Sequence, residues 1–355
     1  DNSVFHDDPA DYIWDGTDVV EIQLNGNSIT VNGSGATADG SIVTIGSAGN
    51  YRITGNLADG QVIVDTEDES IVRLILNGVN IHNASNAPVF IKSAEKSMIV
   101  LQENSNNFLS DAASYIYEDA EEDEPNATVF SKDDLTIFGN GSLTVEANYN
   151  DGIASKDGLI IASGKIAVTA VDDGIRGKDY LVVKDGDITI DAGGDGFKSD
   201  NDDDPALGYI KITDGKFVIN SGDDVMQAES DILISDGDLE LTSGGGSGNS
   251  YNTASSAKGI KSALKTVIDG GTFVINTADD AIHSNGSLTI NAGTFNISTG
   301  DDGIHADTTV EINGGIIDIA KSYEGVESAV IIINDGYIHV VANDDGINVA
   351  GGNDS

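Results

Sequence analysis

Asp172-Asp173-Gly174-Ile175-Arg176-Gly177-Lys178 is the stretch whose reading decides the fold. Versions of it recur down the chain: Asn150-Asp151-Gly152-Ile153, Gly194-Asp195-Gly196-Phe197, Asp223-Asp224-Val225-Met226 and Ala257-Lys258-Gly259-Ile260. Further copies are Asp279-Asp280-Ala281-Ile282, Asp301-Asp302-Gly303-Ile304, Tyr323-Glu324-Gly325-Val326 and Asp344-Asp345-Gly346-Ile347. The second position of each copy falls at 151, 173, 195, 224, 258, 280, 302, 324 and 345, in steps of 22, 22, 29, 34, 22, 22, 22 and 21. A fixed period in this range is the signature of stacked repeats. A second column, Gly164, Gly186, Gly215, Gly237, Gly271, Gly293, Gly315 and Gly336, keeps the same rhythm. Each of these glycines is followed two residues later by an apolar side chain, from Ile166 to Ile338. The two long steps are therefore insertions, at 200–206 and 244–255.

Segments such as Asp187-Ile188-Thr189-Ile190-Asp191 and Thr272-Phe273-Val274-Ile275-Asn276 lie between the turns. Alternation with β-branched residues, bounded by Gly and Asp, reads as strands. Short strands in a 22-residue repeat suit one coil of an all-β, right-handed parallel β-helix, a solenoid in which each strand pairs with its equivalent roughly 4.8 Å away. A β-sandwich of hairpins would need no constant period. Residues 1–50 are the least regular and read as an amino-terminal cap containing Trp14, the one tryptophan. Residues 51–355 read as the β-helix, the whole forming one domain. An acidic run, Glu118-Asp119-Ala120-Glu121-Glu122-Asp123-Glu124-Pro125, is expected as a solvated loop, and 351–355 as a flexible end.

The 355 residues include 43 glycines, four prolines and no cysteine, which leaves no disulfide framework and no Cys-ligated metal. Sixty acidic against 17 basic residues give a net charge of −43, a poor match for nucleic acid. No apolar run is long enough to span a membrane. The sequence opens on Asp1 rather than Met, so a processed or trimmed amino terminus is expected. A monomer is expected.

Stacking places equivalent residues above one another. The apolar position of the motif (Ile153, Ile175, Phe197, Met226, Ile260, Ile282, Ile304, Val326, Ile347) makes an inward column, followed two residues on by small residues from Ser155 to Ser328. Both columns read as core. The acidic column is different, because carboxylates one coil apart repel unless their pKa values rise or a cation sits between them. A single Asp-Gly is ordinary turn chemistry. Doubled aspartates on neighbouring coils point instead to shared calcium (Ca2+), which takes 6–8 oxygens. The metal-ligand candidates are Asn150, Asp151, Asp172, Asp173, Asp195, Asp223, Asp224, Asp301 and Asp302. Lys258 occupies an acid's place in that column, where its ammonium could replace a metal. Three residues after the column carboxylate stand Ala154, Arg176, Lys198, Gln227, Lys261, His283, His305, Glu327 and Asn348, expected to face outward. Lys156 and Lys178 face the same way. Arg176, Lys178, Lys198, Lys261, His283 and His305 are thus candidates for contacting a ligand, with salt bridging to the acids as the alternative. The stacked histidines are also a candidate transition-metal pair.

The Asp-Asp-Gly-Ile coils, with Asn148-Tyr149-Asn150-Asp151-Gly152-Ile153-Ala154-Ser155-Lys156 and Asp195-Gly196-Phe197-Lys198-Ser199-Asp200, resemble a family of secreted bacterial carbohydrate-binding proteins. The resemblance implies parallel β-helices that bind cellulose and polygalacturonic acid and hold calcium, with a fold similar to that of family 9 pectate lyases. It spans roughly residues 50–350 and is most specific over 125–230. Its implied function is calcium-dependent binding of plant cell-wall polysaccharide, acidic and possibly cellulosic. Two other readings remain open. One is a pectate lyase, in which calcium neutralises a uronate carboxylate and Lys198 or Lys178 removes the neighbouring proton while Arg176 holds the acid. The other is a structural or adhesive protein with calcium only as a staple.

Overall fold

The computed structural model describes residues 7–13, 16–117, 119, 121, 123–249 and 256–350. Trp14, part of the acidic run, residues 250–255 of the second insertion and the end 351–355 lie outside them. The described chain is all-β. Its one helical element is a 3-10 turn, Pro9–Tyr12.

Alternation produces the strands as expected. In Thr272–Thr277, Phe273, Ile275 and Thr277 are buried while Thr272, Val274 and Asn276 are exposed. Lys216–Ser221 and Asp187–Ala192 repeat the pattern. A strand of this kind has one buried face, and its other needs come from backbone pairing on both edges.

The chain divides into two compact units, Asp1–Asp179 and Tyr180–Ser355. In the first, Val19–Gly26 forms a hairpin with Ile29–Asn32, and Ala36–Asp39 forms one with Ile42–Ile45. These antiparallel pairs fall in the stretch expected as a cap. That stretch is also paired in parallel, Val19–Gly26 with Gly49–Leu57 and Ile42–Ile45 with Gln61–Asp65. Farther along, Ala127–Ser131 lies between Val89–Ser93 and Asp151–Ser155, parallel to both, and Asp151–Ser155 pairs in turn with Ile175–Gly177.

In the second unit a coil is three strands. Phe197–Ser199, Tyr209–Ile212 and Lys216–Ser221 make one, and Met226–Ala228, Asp231–Ile234 and Asp238–Ser243 the next. Ile260–Ser262, Lys265–Ile268 and Thr272–Thr277 follow, then Ile282–Ser284, Ser287–Ile290 and Thr294–Thr299. Each strand is parallel to its counterpart, and the first strands align Phe197, Met226, Ile260, Ile282 and Ile304. The first insertion occupies the gap between Ser199 and Tyr209. The second leaves after Ser243 through a turn at 244–249. Neither disturbs the register on its two sides. This is a solenoid-like stack of coils.

The core is the expected pair of columns. Phe197, Met226, Ile260, Ile282, Ile304 and Val326 are fully buried, as are Ser199, Ser262, Ser284 and Ser328. Phe273 and Phe295 stack face to face, 4.6 Å apart at 7°. Ile347 departs from the expectation. It is 52% exposed because no described coil lies over it.

Both glycine columns have a physical cause. Gly164, Gly215, Gly271 and their equivalents turn with φ between +99° and +149°, where a side chain is strained. The motif glycines serve close approach instead: a Cβ on Gly303 would sit 2.6 Å from the Gly325 carbonyl of the next coil and 2.7 Å from Ile319. At Gly346 the nearest atom to such a Cβ is 4.0 Å away. Gly303→Ala should therefore destabilise the protein by about 2 kcal/mol in urea unfolding, while Gly346→Ala stays within about 0.5 kcal/mol of the parent. Equal losses at both sites would mean that coil spacing is not what selects glycine.

Candidate functional site

The aspartate column has a regular division of labour. At Asp151, Asp195, Asp224, Asp280 and Asp302 one carboxylate oxygen accepts the backbone N–H of the equivalent residue in the next coil. In the first unit Asp173 donates to Asp151 Oδ1 at 3.3 Å. In the second, Asp224 donates to Asp195 at 2.9 Å, Lys258 to Asp224 at 2.7 Å, Asp302 to Asp280 at 3.0 Å and Glu324 to Asp302 at 3.1 Å. The column is correspondingly buried: Asp151, Asp173, Asp195, Asp224, Asp280 and Asp302 are all at most 6% exposed.

The other oxygen meets the basic stripe. Arg176 Nη1 is 3.8 Å from Asp151 Oδ2, Lys198 Nζ is 2.8 Å from Asp195 Oδ2, and Lys261 Nζ is 3.0 Å from Asp224 Oδ2. His283 Nδ1 lies 2.8 Å from Asp280 Oδ2, and His305 Nδ1 lies 3.6 Å from Asp302 Oδ2. The expected outward line is therefore half-buried against the acids. Ala154, His305 and Glu327, expected to face outward, are buried at 2%, 4% and 1% exposure. Ala154 packs with Ala127, Phe130 and Phe90, a contact that alternation alone does not reveal. Burial lowers the pKa of His305, against the opposing pull of Asp280. His283 and His305 pack edge-to-face at 4.8 Å.

Lys258 fills an acid's place in the column. Its Nζ lies 2.8 Å from Asp279 Oδ1 and 2.7 Å from Asp280 Oδ2. Burial alone would lower the Lys258 pKa, but the two carboxylates raise it above the usual lysine range. Burial likewise opposes ionisation of Asp280, yet the His283 hydrogen bond and the Lys258 charge hold its carboxyl below the usual range.

Two further groups of carboxylates crowd their oxygens together. Asp151, Asp172 and Asp173 place oxygens within 4.8 Å of one another. Asn150 Nδ2 donates to Asp151 Oδ1 at 3.0 Å. Asp151 Oδ2 is buried and accepts no hydrogen bond. Burial, then the Asp173 charge, push the Asp151 carboxyl up to about 8, with Arg176 opposing. In the second unit Asp302, Glu324 and Glu327 gather their oxygens in the same way, all three buried. Burial, then Asp280 and Asp301, push Asp302 up to about 9. A donor set of carboxylate oxygens alone fits a hard cation such as calcium, not a soft one. Of the other ligand candidates, Asp301 groups with Asp279 and Asp280, where Lys258 already stands, and Asp223 is half-buried beside Asp224. Glu324 and Glu327 were not singled out in the sequence, where one stands in an aspartate column and the other in the basic stripe.

A family model described as carbohydrate-binding domain-containing protein matches residues 39–303. The chain belongs to that family. This carbohydrate-binding domain protein is 47% identical over 128 residues to a carbohydrate-binding domain-containing protein of Acetivibrio thermocellus. That match covers 36% of this chain and 45% of the relative, so the chain spans less than half of the relative's length. A solved structure, described as the polysaccharide lyase-like protein from C. thermocellum in a gadolinium derivative, aligns over 76% of this chain and 96% of its own. The TM-score is 0.61 at 33% identity. The family match reaches through both aspartate pairs at 172–173 and 301–302, and stops before Glu324 and Glu327.

In this carbohydrate-binding domain protein the aspartate column should carry stability whatever else it does. Asp224→Ala leaves the Lys258 amide and the Lys261 ammonium without their carboxylate and should remove about 2–4 kcal/mol in urea unfolding. Asp224→Asn keeps an acceptor oxygen and should lose less than half as much. Indifference to both changes would show that the column is not a staple.

Proposed function

We propose that the protein binds plant cell-wall polysaccharide, with acidic, polygalacturonate-like chains as the main ligand and calcium as a required cofactor, on a right-handed parallel β-helix. The observation that carries this reading is the buried Asp151 carboxylate. It is crowded by Asp172 and Asp173, held well above the normal carboxyl range, and has an oxygen that no hydrogen bond uses. A divalent cation there would answer the repulsion and keep coordination positions for a sugar carboxylate. Asn150, Asp151, Asp172 and Asp173 would supply ligands, with Asp302, Glu324 and Glu327 forming a second set. Family membership supports a polysaccharide ligand. Cellulose, which is neutral, would bind without calling on the ion. Secretion to the cell surface follows from such a ligand.

The lyase-like neighbour keeps a second reading in view, a lyase in which Lys198 or Lys178 acts as base. Lys198 is held by Asp195 at 2.8 Å, an ion pair that ties up its ammonium and argues for binding over proton removal.

Calcium and protons should compete. The Asp151 carboxyl rises from about 3.9 unfolded to about 8 folded, so without a cation its contribution to stability is lost as pH climbs through that window. Asp302 extends the window to about 9. Calcium should therefore raise the melting temperature little at pH 5 and by several degrees at pH 8, and Asp151→Asn should shrink that gain. Thermal unfolding with calcium and with chelator at both pH values is the measurement. An equal response at pH 5 and 8 would contradict an ion at this carboxylate.

The ligand is tested by affinity electrophoresis in gels containing polygalacturonate. Migration should be retarded with calcium and restored by chelator, and no 4,5-unsaturated product should absorb in the ultraviolet. Retardation that survives chelation removes calcium from the reading, and product formation replaces binding with lyase chemistry.

A further inference from the structure

A basic row runs up the first unit, outside the aspartate column. Register places Ser131 opposite both Ile91 and Ser155, and Ser155 opposite Gly177. The residues that follow them, Lys92, Lys132, Lys156 and Lys178, therefore occupy one position in four successive coils. The backbone continues the pairing there: Lys132 N–H donates to Ile91 C=O, Lys156 to Ser131 and Lys178 to Ser155. Four of the chain's 17 basic residues thus stand in line at the coil repeat of roughly 4.8 Å, on a protein with net charge −43. Such a row repels itself unless anions lie along it.

Two features beside the row point to what it meets. Phe90 and Phe130 sit on the same face, two residues before Lys92 and Lys132, with ring centroids 5.9 Å apart. With Ile116, Tyr117, Pro125, Lys92 and Lys132, Phe90 borders an open pocket of about 390 Å3, and Phe130 lies buried beneath it. Within it stands a carboxylate from outside the stack. Glu124, on the loop that crosses this face, puts Oε1 2.5 Å from Lys156 Nζ and Oε2 3.7 Å from Lys132 Nζ. The row's first member is paired within its own stack, Lys92 with Asp65 at 2.8 Å. The lysine side chains remain 38–55% exposed at positions 92, 132 and 156.

We propose that this lysine row is a subsite for the acidic polysaccharide, taking one sugar carboxylate per coil, and that Glu124 is a built-in stand-in for such a carboxylate which the ligand must displace. The idea rests on the acidic-polysaccharide reading above and places a binding surface on the lysines, beside Asp157, which Asp134, Asp179 and Asp133 crowd and Lys178 partly offsets. The geometry is suited to it. A 1→4-linked uronate chain carries one carboxylate per ring and advances by a length comparable with one coil. Its apolar ring faces match the Phe90, Ile116 and Tyr117 border. Neutral glucan offers the lysines hydroxyl acceptors but no opposing charge.

Removing Glu124's charge and removing a lysine's charge should act in opposite directions, which a general loss of structure cannot imitate. In calcium buffer at low salt, Glu124→Gln should bind polygalacturonate about threefold to tenfold more tightly than the parent. Lys132→Gln and Lys156→Gln should each bind it about as much more weakly. All three differences should fade at high salt. Affinity electrophoresis and calorimetry with an oligogalacturonide give the numbers, and circular dichroism checks the fold; if a lysine variant misfolds, Glu124→Gln still decides. A parent that binds while Glu124→Gln and Lys132→Gln match it overturns the lysine row and leaves the acidic-ligand reading standing. Weaker binding by Glu124→Gln would make Glu124 a scaffold for the lysines and overturn its role as stand-in. A parent that binds no polygalacturonate removes both readings together.

Discussion

The stacked coils depend on one repeated contact, a carboxylate oxygen accepting the backbone amide of the coil above. Parallel pairing holds the strands, and backbone bonds such as Gly196 N–H to Asp224 C=O and Gly303 N–H to Glu324 C=O carry it into the turns, leaving the amide of the column residue itself. There the aspartate closes the gap, from Asp151 to Asp173, Asp195 to Asp224, Asp280 to Asp302 and Asp302 to Glu324. Glycine beside it lets the two backbones come close enough for the bond to form, as the 2.5 Å from an imagined Gly152 Cβ to the Gly174 carbonyl shows. Aspartate and glycine recur together because each makes the other's geometry possible.

That contact creates an electrostatic problem and the stack resolves it locally. A buried row of carboxylates is self-repelling, and each member needs a positive neighbour on its second oxygen. Arg176, Lys198 and Lys261 supply one in turn, and Lys258 supplies another between Asp279 and Asp280. At Asp151 and Asp302 burial and neighbouring acids outweigh that supply, and the proton is retained to about 8 and about 9. The same row is thus part staple and part cation trap, and the difference between the roles lies in one neighbouring side chain. Asp280 with Lys258 and Asp302 without such an ammonium are one coil apart and shifted in opposite directions.

Much of this was legible in the sequence, because a constant period carries information that single residues do not. The 22-residue step, the inward apolar column and the turn glycines all followed from counting. What counting missed is where side chains compete for one space. Arg176 and Lys198 stand at outward positions by alternation, yet the nearby acids fold them against the stack. Glu327 occupies the same column and is buried, where it joins Asp302 and Glu324. Ile347 belongs to the apolar column but has no described coil above it to cover it. The meeting of Glu124 with Lys132 and Lys156 joins a loop to strands and obeys no period, so no column could announce it.

The two insertions bear on how such a molecule changes over generations. Both leave and rejoin between strands whose alignment is the same on either side: Phe197–Ser199 against Met226–Ala228, and Met226–Ala228 against Ile260–Ser262. Extra length in a loop adds closure entropy that grows only slowly with its size. A single residue added inside a strand would instead turn every following side chain to the opposite face. Variation is thereby channelled to a few exits from the coil, so lineages can try new surface loops while the buried columns stay fixed, and divergence in recognition need not disturb inheritance of the fold.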